Sequence, residues 1–469
     1  MVVFNKKYLE QNFPNLNDLE EIKLEEIEFE SIENGAFKGL SNLKSLQFSG
    51  NQFETISSEF FEGLENLTYL NMGFNSIKEF GKGVFSKLTK LETLELEGIE
   101  LENIDASLFD GLTELTKLNL KCTPCKSLST LSNLNKLKEL NLMMSSVEEF
   151  EDTALNNLKH LVVLDISMNE TDSLPSNLFD ELDNLEELNI SMMGLEKFES
   201  KCNSITSIDS HLFNGLNSLH TLKFSSNNIT TIDSNQFNGL ENLISLNFES
   251  NKISNFDVNL FKDLSKLNTL VIGYNKVNEL PIGIFGPCTE LEVLHIDFME
   301  MASIDSKLFE KNTKLKVLHM NGNNFESLDK SFFENLTSLK ELGISCEKFD
   351  LNDDIFNDLV NLEKLEFNGK SRIVLNSKLF SSLSNLKILE LTHIKCENLD
   401  VDLLKGLHNL EELGFEFSRL KELDPKMLAG LTNLKSLSVN ENELNDGQKE
   451  ILEKEFPGII QFKAFEIVD

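Results

Sequence analysis

A chain of 469 residues, 40% hydrophobic and 26% charged, has the composition of a folded protein rather than a disordered one. No run approaches the ~18 uncharged apolar residues of a membrane span, which excludes membrane insertion by this sequence. Its 43 basic and 78 acidic residues leave a net charge of -35, a field that makes nucleic acid and anionic lipid poor partners and mildly favours a basic protein, although keeping a long surface soluble is the plainer reading.

The first residues, MVVFNKKYLEQNF, hold no apolar stretch of signal-peptide length, so a secretory leader either lies outside this sequence or was never there. Residues 1–18 read as an N-terminal cap, because a regular grid begins at Leu19. The grid is clearest in LKSLQFSGNQFETISSEFFEGLEN from Leu43. Numbered 1 to 24, it has apolar residues at 1, 4, 6, 11, 14, 19 and 22, and asparagine at 9. The first position recurs as far as Leu434, nearly always 24 residues on, which makes about eighteen coils over residues 19–456.

Positions 4 and 6 alternate as a short strand with one apolar face. A single coil cannot bury that face alone, so coils must stack and their strands must form a parallel sheet. Asparagine at 9, as at Asn51, Asn75, Asn227, Asn275 and Asn323, suits an irregular turn, because its amide both donates and accepts. Position 19 is phenylalanine in most coils, including Phe37, Phe61, Phe85, Phe237, Phe261 and Phe309, which predicts an aromatic column behind the sheet. Such a thick outer wall, set against strands ~4.8 Å apart, bends the stack with its sheet on the inside.

At these residues the chain resembles the leucine-rich-repeat proteins. The 24-residue form, with phenylalanine and GL in its second half, is similar to the class found in Toll-like receptor ectodomains, Slit-type guidance proteins and small leucine-rich proteoglycans. The resemblance implies an α/β solenoid: a curved leucine-rich-repeat horseshoe with a parallel β-sheet on the concave face and a mostly irregular or short-helical convex side. It further implies a non-catalytic scaffold that binds a protein partner through the concave face or its edge, as a secreted or cell-surface receptor-like protein. Those relatives cap both ends with cysteine clusters, whereas NKKYLEQNFPNL and KEFPGIIQFKAFEIVD contain none. An intracellular regulatory or adaptor scaffold with free thiols is the alternative reading.

Followed along the chain, the grid deviates at a few places. Positions 7 and 8, at the exit of each strand, mostly carry serine, glycine, asparagine or glutamate, but Phe74 fills position 8 of its coil. The coil from Leu115 to Lys136 has 22 residues, lacks phenylalanine at 19 and contains CTPC. Cys125 in that motif and Cys396 occupy position 11, and Cys288 occupies position 22, so all three read as small core side chains. With no second pair nearby, CTPC is not expected to hold zinc or to serve redox chemistry. Met143, Met144, Met168 and Met192 then fill positions 7 and 8 of three consecutive coils, a run that stacking should gather into one apolar strip beside Asp165, Glu186 and Glu187.

The eighth coil writes its second half twice. KCNSITSIDSHLFNGL from Lys201 and SSNNITTIDSNQFNGL from Ser225 agree at ten of sixteen positions, yet the first copy lacks a strand of its own, and the coil runs to 34 residues. Its ten surplus residues, an irregular junction over 199–208, are expected to bulge at the loop edge with Cys202 exposed, as a recombination scar rather than a functional insertion. Tyr274 and Phe298 return aromatics to position 8. His295 and His319 hold position 5 of successive coils and should lie side by side on the concave face near Asp297, a pair able to bind a metal or sense pH, although two solvated histidines are the plainer reading. The coil from Leu339 to Asn361 has 23 residues, Phe417 again fills position 8, and residues 457–469 read as a C-terminal cap or tail.

Neither a glycine-rich phosphate loop nor a metal-protease helix motif occurs, and no non-repeat domain is present to house an active site, so neither enzyme activity nor a cofactor or metal is assigned. Glycosylation sequons stand at Asn66, Asn169, Asn189, Asn228 and Asn335; of these, Asn169 should be buried and Asn189 should face the concave side. The candidate partner-binding residues are Phe74, Met143, Met144, Met168, Met192, Tyr274, His295, Phe298, His319 and Phe417. The expected partner is a protein with a hydrophobic ridge rimmed by lysine or arginine.

Overall fold

The computed structural model describes residues 3–101, 104–105, 107–152, 154–193, 205–345, 352–369, 375, 377–394 and 399–461. The chain divides into two compact units, one of residues 1–232 with 236–243, the other of residues 233–235 with 244–469.

In the first unit, strands of three residues from Glu21–Lys23 to Thr221–Lys223 pair in chain order, all of them parallel. Position 4 sets the register: Leu46 faces Leu70, Leu94 faces Leu118 and Leu140 faces Leu164. These leucines are buried, and a slip of one residue would turn a rung's apolar side chains to water. Leu188 lies opposite Leu222 across the 34-residue coil, so the surplus adds no rung to the sheet. The duplicated second half stacks normally from Ile205 onward, where Asn228 N–H donates to the Ile205 carbonyl and Phe213 and Leu216 are buried. Leu195, Phe198, Cys202, Asn203 and the junction up to residue 204 lie outside the described residues.

The N-terminal end of this unit is closed by apolar side chains. Val3–Phe4 pairs with Ser31–Ile32 and is followed by the helix Lys6–Asn12, whose first turn is capped by the Asn5 side chain. Phe4 packs against Phe29, Phe37 and Phe48 with ring centroids 5.2, 5.2 and 5.0 Å away, while Leu9 and Leu16 are buried beneath the helix and the turn after it. Aromatic burial thus shields the open end of the core from water.

In the second unit the strands from Ser245–Asn247 to Ser436–Ser438 pair in the same parallel, in-register way, and Ile460–Gln461 adds a closing strand to Ser436–Ser438. Helix Asp446–Glu455, capped by Asn445, buries Leu452 before that closing strand. Behind the sheet the position-19 rings stack at 6.2 Å for Phe261 and Phe285, 6.0 Å for Phe285 and Phe309, and 6.4 Å for Phe356 and Phe380. On the sheet face, His295 and His319 are only 4.4 Å apart. Paired strands lie ~4.8 Å apart, so the wall behind is the more widely spaced of the two, the difference that bends a solenoid toward its sheet. Its outer side is irregular, with short 3-10 turns such as Ser306–Phe309 and Pro425–Leu428.

Position-9 asparagines hold the turns. Asn323 accepts from the N–H groups of Met299 and Met301 at 3.0 and 3.2 Å and donates to the carbonyls of Ile296 and Met320 at 2.9 and 3.1 Å. Asn169 makes the equivalent set with Ser145, Val147, Leu142 and Ile166. Where asparagine is missing, a hydroxyl replaces part of this bonding, as Thr123 does for Leu96 and Ile99.

Candidate recognition surface

Position 8 lies three residues beyond the last strand residue in the coils of Phe74, Tyr274, Phe298 and Phe417. In the coils of Phe74, Tyr274, Phe298 and Phe417 its N–H donates to the position-7 carbonyl of the next coil, for example Phe298 N to Asn321 O at 2.8 Å. The backbone there is left-handed: φ is 54° at Phe74, 55° at Met144, 58° at Met168, 55° at Met192, 54° at Tyr274, 50° at Phe298 and 52° at Phe417. Glycine adopts this conformation freely and fills the same slot at Gly50, Gly98 and Gly322, whereas other residues strain to do so, at a cost of about 1 kcal/mol each. The grid's glycines carried the signal for this turn, but the periodicity of apolar residues does not reveal a backbone angle.

The consequence is a set of large side chains turned to the coil edge. Phe74 is 60% exposed and Phe298 43%, and Tyr274, Met144 and Phe417 are exposed as well. Met143, Met168 and Met192 are half-buried, so the methionine run of the first unit is less open than its single exposed member suggests. Tyr274 and Phe298 stack at 4.7 Å with ring planes 20° apart, and Phe417 stacks on His393 at 5.2 Å. Glycine in the next coil makes room for such rings. A Cβ on Gly322 would come within 2.3 Å of the Phe298 ring, and one on Gly98 within 2.9 Å of Phe74.

The two predicted histidines meet on the sheet of the second unit. His295 and His319 are direct cross-strand partners, and their rings are tilted by 30°. Asp297 Oδ2 lies 3.9 Å from His295 Nδ1, while the other oxygen, Oδ1, accepts from Asn321 N–H at 2.8 Å. Burial, followed by the neighbouring His319, holds His295 below the ordinary imidazole range, and burial raises the Asp297 carboxyl. The sequence reading missed what surrounds His319. Its Nε2 pairs with Glu341 at 3.1 Å, and Lys364 bridges Glu341 and Glu366 at 3.0 and 2.5 Å. Gly343, opposite both His319 and Glu366 in the ladder, keeps that part of the face low. The signal was available in the position-3 and position-5 residues of adjacent coils, but only the register shows which charges share a neighbour.

Cys125 and Cys288 are fully buried and their thiols are pushed up by burial to about 11 and about 12, whereas Cys122 is half-buried at a position-8 turn. All three are free; Cys202, Cys346 and Cys396 lie outside the described residues. Asn169 is buried with its amide nitrogen engaged, which rules it out as a glycan acceptor in the folded chain. Among the described residues no helix is long and apolar enough to cross a membrane.

A family model for BspA-type leucine-rich-repeat regions matches residues 8–130, 192–316, 275–363, 302–435 and 349–457, and a second leucine-rich-repeat model matches residues 135–192. The chain belongs to the BspA-type leucine-rich-repeat family. This leucine-rich-repeat assignment confirms the resemblance drawn from the grid and specifies its type. No curated protein sequence matches the chain. Among solved structures, a leucine-rich-repeat protein of Leptospira interrogans aligns with a TM-score of 0.63 at 21% identity, over 98% of this chain and 100% of its own. A chain of the Drosophila Toll–Spatzle complex aligns with a TM-score of 0.60 at 14% identity, covering 97% of this chain and 89% of its own. A chain of the TLR13–ssRNA13 complex aligns with a TM-score of 0.51 at 22% identity, covering 98% and 90%. At these identities the likeness establishes the leucine-rich-repeat fold.

Proposed function

We propose that this leucine-rich-repeat chain is a non-catalytic recognition scaffold, secreted or displayed at a cell surface. In this reading each unit offers an apolar coil edge to a protein partner: Phe74 and the methionines 143, 144, 168 and 192 in the first unit, Tyr274, Phe298 and Phe417 in the second, with His295 and His319 on the adjoining sheet face. The observation that carries this is the exposed, stacked pair of Tyr274 and Phe298 on left-handed backbone. Strained backbone and exposed aromatic surface both oppose folding, and such features persist where they serve binding. A protein relative, Toll, was solved with Spatzle, and another, TLR13, with single-stranded RNA. The net charge of -35 favours the protein alternative here, in particular a partner with lysine or arginine around a hydrophobic ridge.

The test replaces Tyr274 and Phe298 together with serine, and Met144, Met168 and Met192 together with serine. Both variants should melt close to the parent while losing most capture of the native partner. Undiminished capture, or collapse of the fold, would overturn this placement. The second reading, an intracellular scaffold, is favoured by the free thiols of Cys122, Cys125 and Cys288 and by an N-terminal end closed with phenylalanine rather than cystine. Glycan found on Asn66, Asn228 or Asn335 of the native protein decides for secretion.

A further inference from the structure

His295, Asp297 and His319 each present one ligand atom, and the three atoms lie within 4.8 Å of one another. His295 and His319 are paired on adjacent rungs of the second unit's sheet, and Asp297 follows two residues after the strand that ends at His295. The in-register ladder brings the two imidazoles to 4.4 Å without help from either side chain. Asp297 Oδ1 accepts from the Asn321 N–H, and Oδ2 is the oxygen on the His295 side. The resulting gap of 3.9 Å is too long for a hydrogen bond. Two donor atoms on one tetrahedral zinc ion, with bonds of about 2.0–2.2 Å, stand about 3.4 Å apart, so a small turn of either side chain brings both onto one ion.

We infer that His295, Asp297 and His319 form a zinc-type divalent-cation site. Two imidazoles and one carboxylate suit a borderline cation such as Zn2+, whereas Ca2+ and Mg2+ favour all-oxygen shells. The site has its own supporting group. Glu341 pairs with Nε2 of His319 and is itself fixed by Lys364, the carboxylate–histidine arrangement that orients metal-bound imidazole. A neighbouring combination, His319 with Glu341 and Glu366, also has the right atoms within 4.8 Å, but the Lys364 ammonium already bridges both carboxylates. The ion is therefore assigned to the His295 side. Three protein ligands leave a fourth tetrahedral position, open on the sheet face to water or to a donor from a bound protein. Cation binding at this site does not depend on whether the aromatic edge binds a partner.

The experiment titrates the tag-free full chain, stripped with chelator, with ZnCl2 alone by isothermal calorimetry, and with CaCl2 and MgCl2 in parallel. One Zn2+ per chain should bind at least a hundredfold more tightly than Ca2+. The variant H295Q/H319Q should lose that site while melting within a few degrees of the parent. E341Q should weaken it roughly tenfold, as loss of an orienting carboxylate does. H211Q, at an exposed histidine paired with Asp209, should leave it unchanged. Should the double variant fold poorly, Co2+ in place of Zn2+ supplies an independent reading: a visible absorption band that H319Q alone abolishes. Zinc binding no tighter than calcium, a site retained in H295Q/H319Q, or a cobalt band insensitive to H319Q would each overturn the assignment.

Discussion

Phe285 and Phe298 are the same side chain in successive coils of one unit, with opposite environments. Phe285 fills position 19, is fully buried, and stacks between Phe261 and Phe309 at 6.2 and 6.0 Å. Phe298 fills position 8, is 43% exposed, and sits on backbone with φ of 50°. The slot in the coil, and not the hydrophobicity of the residue, decides which phenylalanine holds the fold together and which faces outward. The buried column spaces the backs of the coils more widely than the ~4.8 Å between strands. The exposed one lies over the next coil's glycine and adds little to the core.

The largest expected effect sharpens that contrast directly. Phe285→Ala removes a fully buried ring and should cost about 3–5 kcal/mol in denaturant unfolding followed by circular dichroism, whereas Phe298→Ala should cost less than about 1 kcal/mol. Equal losses would break the comparison.

Next in size is the turn that separates the two columns. Asn323→Ala strips partners from two N–H groups and two carbonyls at a site with no measurable exposure, and should cost about 3 kcal/mol. A shift in melting of only a degree or so would mean that other groups or water replace the amide.

A smaller effect isolates the position-8 geometry. Gly322→Ala places a Cβ 2.3 Å from the Phe298 ring on backbone with φ of 66°, and should cost about 1–3 kcal/mol. In a Phe298→Gly background only the backbone share, about 1 kcal/mol, should remain. Simple additivity of the two changes would show that the ring does not rest on Gly322.

The smallest effect is chemical. Cys288 and Cys125, with thiols raised by burial to about 12 and about 11, should resist iodoacetamide at pH 8 in the native protein, because the reactive thiolate is then scarce and enclosed. Mass spectrometry after a timed pulse checks this. Rapid native labelling of Cys288 would place position 22 outside the core.

Much of this was legible in the linear chain, for a specific reason. A repeat that cannot bury its own apolar face has one stable arrangement, so the spacing of Leu46, Leu70 and Leu94 determined the parallel sheet, its register and the burial of Phe37, Phe61 and Phe85. The same periodicity placed His295 beside His319, because cross-strand neighbours are one repeat apart. Other features depended on three dimensions. The left-handed turn at Phe74, Tyr274 and Phe298 follows from a backbone N–H reaching the next coil's carbonyl, a bond that residue identity does not encode where glycine is absent. The unbroken pairing of Leu188 with Leu222 reflects sheet hydrogen bonding winning over an irregular loop length. Which oxygen of Asp297 is on the His295 side, and which carboxylates Lys364 occupies, were decided by backbone and side-chain groups of neighbouring coils.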